Sequence, residues 1–240
     1  MTEPATKRTG PLSFVRRGGR ISEAQERAWR ELAPTYVFDV PRDVAETSVH
    51  PDARFVPERE FGRTAPLVVE IGTGQGHAII HAATERPDTD FLAVEVYHGG
   101  LARTMLEAEK AGLTNLRLIE ANAPEVLLTL LPAESTDEVR IFFPDPWHKK
   151  RHHKRRMISP GFGAVVGRVL RDGGLLRLAT DWEDYALQMR EVLDAEPEVE
   201  RAFDGDWAAR FDGRPMTAFE RKGLDKGRDI RDLVYRRTAR

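Results

Sequence analysis

Residues 67–79 read LVVEIGTGQGHAI. The first five are apolar except for Glu70, glycine then occupies positions 72, 74 and 76, and an apolar run resumes at Ala78. A short apolar strand that passes through a glycine turn into a helix opens a parallel α/β sheet. Glycine lets the backbone turn sharply there and approach a ligand closely. Outward from this unit, short apolar runs recur at DFLAVEV (90–96), NLRLIEA (115–121), EVRIFF (138–143) and LLRLATD (175–181). Helix starts are expected near Gly76, Gly99, Ala123, Ser159 and Trp182. RDIRDLVYRR (228–237) follows a glycine-containing turn region rather than a crossover helix, so it is expected as a last, antiparallel strand.

Upstream of the sheet, ISEAQERAWRELAPTYV (21–37) predicts a helix with Ser22 as N-cap, Ala28, Trp29 and Leu32 on one face, and Pro34 as its stop. Residues 39–63 hold Pro41, Pro51 and Pro57 and are expected as a connecting loop. Residues 1–20 mix Gly, Pro, Thr and Arg without periodicity, the pattern of a mobile basic arm. The expected organisation is therefore an arm (1–20), an N-terminal helix and loop (21–65) and one α/β domain (66–240).

The 240 residues suffice for one large core. With 37 Lys and Arg against 39 Asp and Glu, the formal charge is -2, so any affinity for a polyanion must come from a local patch. No cysteine is present, which excludes disulfides, Cys-ligated zinc and thiol nucleophiles and fits a reducing compartment. No apolar run approaches the ~20 residues of a membrane span, and no signal-peptide core is seen. A soluble cytoplasmic protein without a membrane partner is expected.

Ligands of open α/β sheets bind beyond the carboxyl ends of the strands. The five strands deliver Glu70, Glu95, Asn122, Asp145 and Asp181 to those ends. The glycine spacing is G-x-G-x-G with His77 following, so the dinucleotide fingerprint G-x-G-x-x-G fails. A plain strand-to-helix turn would use the same glycines. Glu95, however, is placed to accept from both ribose hydroxyls, an arrangement found in S-adenosylmethionine-dependent methyltransferases. A site rich in carboxylates suits a ligand with a sulfonium and an amino group better than it suits NAD or ATP.

Residues 141–156 read IFFPDPWHKKRHHKRR. Asp145, when ionised, only accepts hydrogen bonds, which fits it to the N1 and N2 edge of guanine. Trp147 either stacks on a base or packs internally. Six Lys and Arg follow directly, where a bound polyanion would present a base to the site. If all six met phosphates, the salt slope of binding would approach about -4. His148, His152 and His153 lack further ligands at metal spacing, so no metal is expected.

On EIGTGQG, VEV, FFPDPWHKKRHHKRR, ATDWEDYA and TAFERKG, in that order from Glu70 to Gly223, the chain resembles the bacterial tRNA (guanine-N7)-methyltransferases. The resemblance implies a doubly wound, mostly parallel seven-stranded α/β sheet of the Rossmann-like class I methyltransferase type, with an N-terminal extension. It implies S-adenosyl-L-methionine as cofactor, held by Glu70, Glu95, Asn122 and Asp145 with the loop of Gly72, Gly74 and Gly76. It implies tRNA as partner, contacted by Lys149, Asp181, Thr217, Ala218, Phe219 and Glu220; the basic run Lys150, Arg151, His152, His153, Lys154, Arg155 and Arg156 is expected at the RNA from its position after Asp145. The implied product is 7-methylguanosine at position 46, in the variable loop, with Asp145 as the catalytic residue. Many members have Asp at Asn122 and Lys at Ala218, so cofactor affinity and one RNA contact are the points of departure. Guanine N7 carries an in-plane lone pair and needs no base. Carboxylates at Asp145, Asp181 or Glu220 would stabilise the cationic product. Rival readings are a noncatalytic RNA-binding protein on the same fold, and a methyltransferase for protein or small-molecule substrates. Either a monomer or a homodimer is compatible with the sequence.

Overall fold

The structure is a computed structural model that describes residues 21–239; the expected basic arm lies outside them. In chain order the strands are β1 (Leu67–Ile71), β2 (Asp90–Glu95), β3 (Leu116–Glu120), β4 (Thr136–Phe142), β5 (Leu170–Thr180), β6 (Val199–Arg201) and β7 (Arg231–Arg237). They form one seven-stranded sheet of order β3-β2-β1-β4-β5-β7-β6. The first five are parallel, and β7 runs antiparallel between β5 and β6. This is the doubly wound sheet expected from the resemblance, including the antiparallel last strand. The three-residue β6 was not foreseen, because VER is too short and too polar to carry a strand pattern.

The helices are α1 (Glu23–Glu31), α2 (Ala33–Tyr36), α3 (Pro57–Phe61), α4 (His77–Glu85), α5 (His98–Lys110), α6 (Ala123–Glu125), α7 (Phe162–Val169), α8 (Glu183–Asp194) and α9 (Ala218–Asp225). Strand β1 is buried throughout, and its side chains alternate between two cores. Val68 joins Ile79, Phe91, Leu101 and Met105 on the face covered by α4 and α5. Val69 and Ile71 join Ile141, Val166, Leu178, Tyr185 and Met189 on the face covered by α7 and α8. Two covered faces explain why the parallel strands read as nearly continuous apolar runs. No helix among the described residues is long and apolar enough to cross a membrane.

Ser22 caps α1 as expected: its hydroxyl accepts from Gln25 N while the Gln25 side chain accepts from Ser22 N. Pro34 does not stop the helical path. It sits in the first turn of α2, where its missing N–H costs nothing. The expected loop 39–63 contains α3, begun by Pro57 in the same way. It also buries Val40, Val49, Ala53 and Phe55 in the core. Helix α1 is fixed to α5 by Gln25 Nε2 donating to Gly99 O (2.9 Å) and by Trp29 stacked on His98 at 4.0 Å.

Candidate active site

At the carboxyl ends of β1, β2 and β4 lies a cavity of about 770 Å³. Its floor is β1 and the glycine loop, and Glu70, Gly72, Gly74 and Glu95 line it. Gly76 caps α4 at φ 80°, and a Cβ there would lie 2.4 Å from the Thr104 hydroxyl oxygen. Helix α5 approaches the loop just as closely, since a Cβ on Gly100 would fall 2.1 Å from Gly74 O. Glycine at both positions is thus a matter of contact, and it lets α5 press the loop against the cavity.

Glu95 closes β2 and accepts from Gly74 N (2.8 Å), Val96 N (2.7 Å) and Tyr97 N (3.0 Å). Three backbone donors fix the orientation of this carboxylate, two of them on Oε1, and leave one lone-pair site, on Oε2, for a ligand. Glu70 is different. It is 3% exposed and its Oε2 is buried without a hydrogen-bond partner in the protein. Burial pushes its carboxyl up to about 7, against the opposing charge of Arg140 and with a smaller contribution from Glu138. An unpartnered buried carboxylate oxygen bordering a cavity calls for a donor or a cation from a ligand.

Asn122 is buried beyond β3, its Nδ2 3.2 Å from Glu125 Oε1 and its backbone N–H donating to Thr47 O. The cavity wall at this strand end is made by the neighbouring Ala121 and Ala123.

Beyond strand β4, Phe143, Pro144, Asp145 and Trp147 line the opposite wall. The chain bends here through positive φ at Phe143 (54°) and Trp147 (47°), conformations that cost roughly 1 kcal/mol or more each for non-glycine residues. The bend leaves Asp145 exposed at the cavity. Trp147 lies on the same wall, with the Arg155 guanidinium 5.0 Å above its ring and the His152 ring edge-on at 5.9 Å. It is therefore both packed and presented to the cavity.

The basic run forms a 3-10 turn over Lys150–Arg155. Lys149, Lys150, Arg151 and Lys154 are exposed beside the cavity mouth, and Arg155 lines the cavity. Desolvation and the cations Arg155, Arg151, Lys149 and Lys154 all lower the imidazole pKa of His152. Arg156, expected among the RNA contacts, is instead 1% exposed. Its Nε donates to Pro146 O (2.8 Å), Nη1 to Gln188 (2.6 Å) and Nη2 to Asp184 (2.5 Å), so it secures the bend from beneath. The three histidines diverge: His148 packs on Trp182, His152 on Trp147, and His153 faces Asp184.

The N-terminus of α9 supplies the remaining wall through Thr217, Ala218 and Phe219, the last 67% exposed. Thr217 caps the helix by accepting from Glu220 N. Glu220, expected at the substrate or as a solvated acid, is 1% exposed and locked between Arg210 and Arg214 (2.7 Å and 3.2 Å). Arg214 in turn binds Asp232 of β7. Burial alone would raise the Glu220 carboxyl, but the hydrogen bonds from Arg210 and Arg214 outweigh it and hold the pKa low. Asp181 pairs with Arg228 (2.7 Å) and makes no side-chain cap to α8. Both acids are thus neutralised within the protein. Arg140, Arg156 and Arg214 were the residues that sequence reading missed as buried supports, because an arginine carries no pattern that separates interior from surface.

A family model described as "Putative methyltransferase" matches residues 64–233. The tRNA (guanine-N(7)-)-methyltransferase of Arthrobacter sp. (strain FB24) is 46% identical over 275 residues, covering 95% of this chain and 86% of that protein. That of Cutibacterium acnes (strain DSM 16379 / KPA171202) is 49% identical over 233 residues, covering 96% and 84%. Among solved structures, the 16S rRNA methyltransferase KamB shares the fold at a TM-score of 0.55 and 18% identity, over 95% of this chain and 100% of that one. Family match and relatives span the glycine loop, the Asp145 bend and the start of α9 together, and the chain belongs to the tRNA (guanine-N(7)-)-methyltransferase family.

Proposed function

We propose that the protein transfers the methyl group of S-adenosyl-L-methionine to N7 of guanine in tRNA, at position 46 of the variable loop. The observation that carries this reading is the joining of two kinds of wall in one cavity. Glu70, the glycine loop and Glu95 suit a cationic, ribose-bearing cofactor, and they face Asp145, Trp147 and Thr217 to Phe219 beside an exposed basic turn. The unpartnered Oε2 of Glu70 is where a ligand ammonium fits.

Bound S-adenosyl-L-methionine supplies an electrophilic methyl group on a sulfonium sulfur. The protein's part is to aim guanine N7 at it. Asp145 accepts from the N1–H and N2–H edge of the base and so sets its orientation. Guanine gains a positive charge as N7 is alkylated, and the same carboxylate stabilises that charge. Asp181 and Glu220 are spent on arginines, which leaves this electrostatic role to Asp145. Lys149, Lys150, Arg151 and Lys154 hold the phosphates outside the cavity.

The test is incubation with labelled S-adenosyl-L-methionine and unmodified tRNA, followed by cleavage at 7-methylguanine. Label at the variable-loop guanine is expected. Binding of tRNA without label would move the reading to a noncatalytic RNA-binding protein, and label that survives RNase digestion of the substrate would move it to a protein or small-molecule acceptor.

A further inference from the structure

Beneath the cavity floor runs a row of charge that the reaction does not touch. Glu70 of β1, Arg140 of β4 and Arg177 of β5 are successive register partners across the sheet, so their side chains project to the same face. Arg140 is 1% exposed and does not border the cavity. Its Nε donates to Glu138 Oε1 (2.6 Å), and Arg177 Nε lies 3.2 Å from the same oxygen. The Phe211 ring covers both guanidiniums, at 4.9 Å and 4.3 Å. Two cations here share one Glu138 carboxylate, leaving one positive charge over. Glu70, the register partner of Arg140 on β1, is the carboxylate across the strand on which that charge acts.

We infer that Arg140 is a positioning residue for the cofactor: it acts through Glu70, holding that carboxylate in the charged form that a ligand ammonium requires. The inference rests on the proposed reading of the cavity as the S-adenosyl-L-methionine site. A carboxyl buried this deeply, with nothing opposite, would keep its proton, and a neutral acid has little attraction for a cation. Arg140 supplies the opposing charge from the sheet side, where it cannot compete with the ligand for space. The groups facing Glu70 are Arg140 and Glu138 below, with Glu95, Asp145, His77 and Arg155 around the cavity. A positive charge under a cation site is thereby useful, because it acts on the proton of Glu70 first.

The test is S-adenosyl-L-methionine affinity of the full chain by calorimetry from pH 6 to 9, with thermal melting alongside. In the wild type, affinity climbs with pH through about 7 and falls again as the ligand's ammonium loses its proton. In Arg140→Gln the climb is expected to move up by about one pH unit or more, which is about tenfold weaker binding at pH values below both midpoints. Arg140→Lys keeps the charge and is expected to stay near the wild-type midpoint. The ligand's own ammonium titrates identically in every variant, so the difference belongs to Glu70. A folded Arg140→Gln with the wild-type midpoint would overturn the inference. Should Arg140→Gln not fold, Glu138→Gln removes the opposing anion and is expected to move the climb downward, and an unmoved midpoint there overturns it equally. Failure of the underlying reading looks different: no binding by the wild type at any pH, or a Glu70→Gln protein that keeps both affinity and pH dependence.

Discussion

The Arg156 Nε donates to the carbonyl oxygen of Pro146, ten residues upstream, across 2.8 Å. That bond, with those to Gln188 and Asp184, ties the bend carrying Asp145 to α8. Arg156→Ala is expected to cost about 2–3 kcal/mol of stability through lost charged hydrogen bonds. It should lower kcat more than it raises KM for tRNA. Denaturant unfolding and steady-state methyl transfer check the two parts, and an unchanged kcat would separate Asp145 from its support.

In the proposed reaction Asp145 acts at the base, away from the phosphates. Asp145→Asn should reduce kcat by about 10²–10³-fold, the usual loss for one electrostatic stabiliser. Filter binding should find tRNA affinity within about threefold of wild type, since the exposed basic residues are intact. Equal loss of both would remove the catalytic assignment.

Four basic side chains of the run, Lys149, Lys150, Arg151 and Lys154, are exposed to phosphate, with Arg155 in the cavity and Arg156 interior. The slope of log affinity against log salt should therefore not exceed about -3 in magnitude from this segment, by the single-strand coefficient. Lys150→Ala and Lys154→Ala should each reduce the slope by about 0.7, while Arg156→Ala should leave it unmoved.

Glu70 costs the unliganded protein stability. Its folded carboxyl sits at about 7, above the 4.5 of an ordinary glutamate, so folding loses free energy as pH rises between those values. Glu70→Gln should stabilise the ligand-free protein by roughly 3 kcal/mol at pH 8, with little effect near pH 4. It should also lose S-adenosyl-L-methionine affinity. Chemical unfolding at the two pH values decides the sign.

Glu220 behaves in the opposite sense. Its folded carboxyl lies below the ordinary glutamate range, so its stabilising contribution is present at neutral pH and lost as pH falls through the folded value. Glu220→Gln should flatten the acid limb of the stability profile measured between pH 7 and pH 3. Arg214→Ala leaves two buried carboxylates short of a partner and should cost about 3–5 kcal/mol at neutral pH.

The sequence carried the sheet because apolar runs separated by amphipathic stretches have a period that survives without tertiary context, as at LVVEI and DFLAVEV. Ser22 and Gln25 carried the start of α1 through local chemistry alone. What it could not carry was the depth of charged side chains. Glu220 beside Arg221 and Lys222 reads as surface, yet its partners Arg210 and Arg214 come from the segment before α9, and Arg214 is held in turn by Asp232 of β7. Arg156 at the end of a basic run likewise reads as one more cation. Proline read as a stop at Pro34 and as a loop marker at Pro57, although both begin helical turns.

Strand β7 lies between β5 and β6 although it follows both in the chain. During synthesis, β6 leaves the ribosome before the only neighbour it has in the sheet among the described residues, and Arg214 leaves before Asp232. Strands β1 to β4 pair with one another without β6 or β7, but the face they turn to α7 and α8 stays open until those helices emerge. The wall at α9 is held by the Arg214 network, which needs Asp232 of β7, and so is finished last. The cavity is therefore complete only when the final strand is in place, an order of assembly set by strand placement alone.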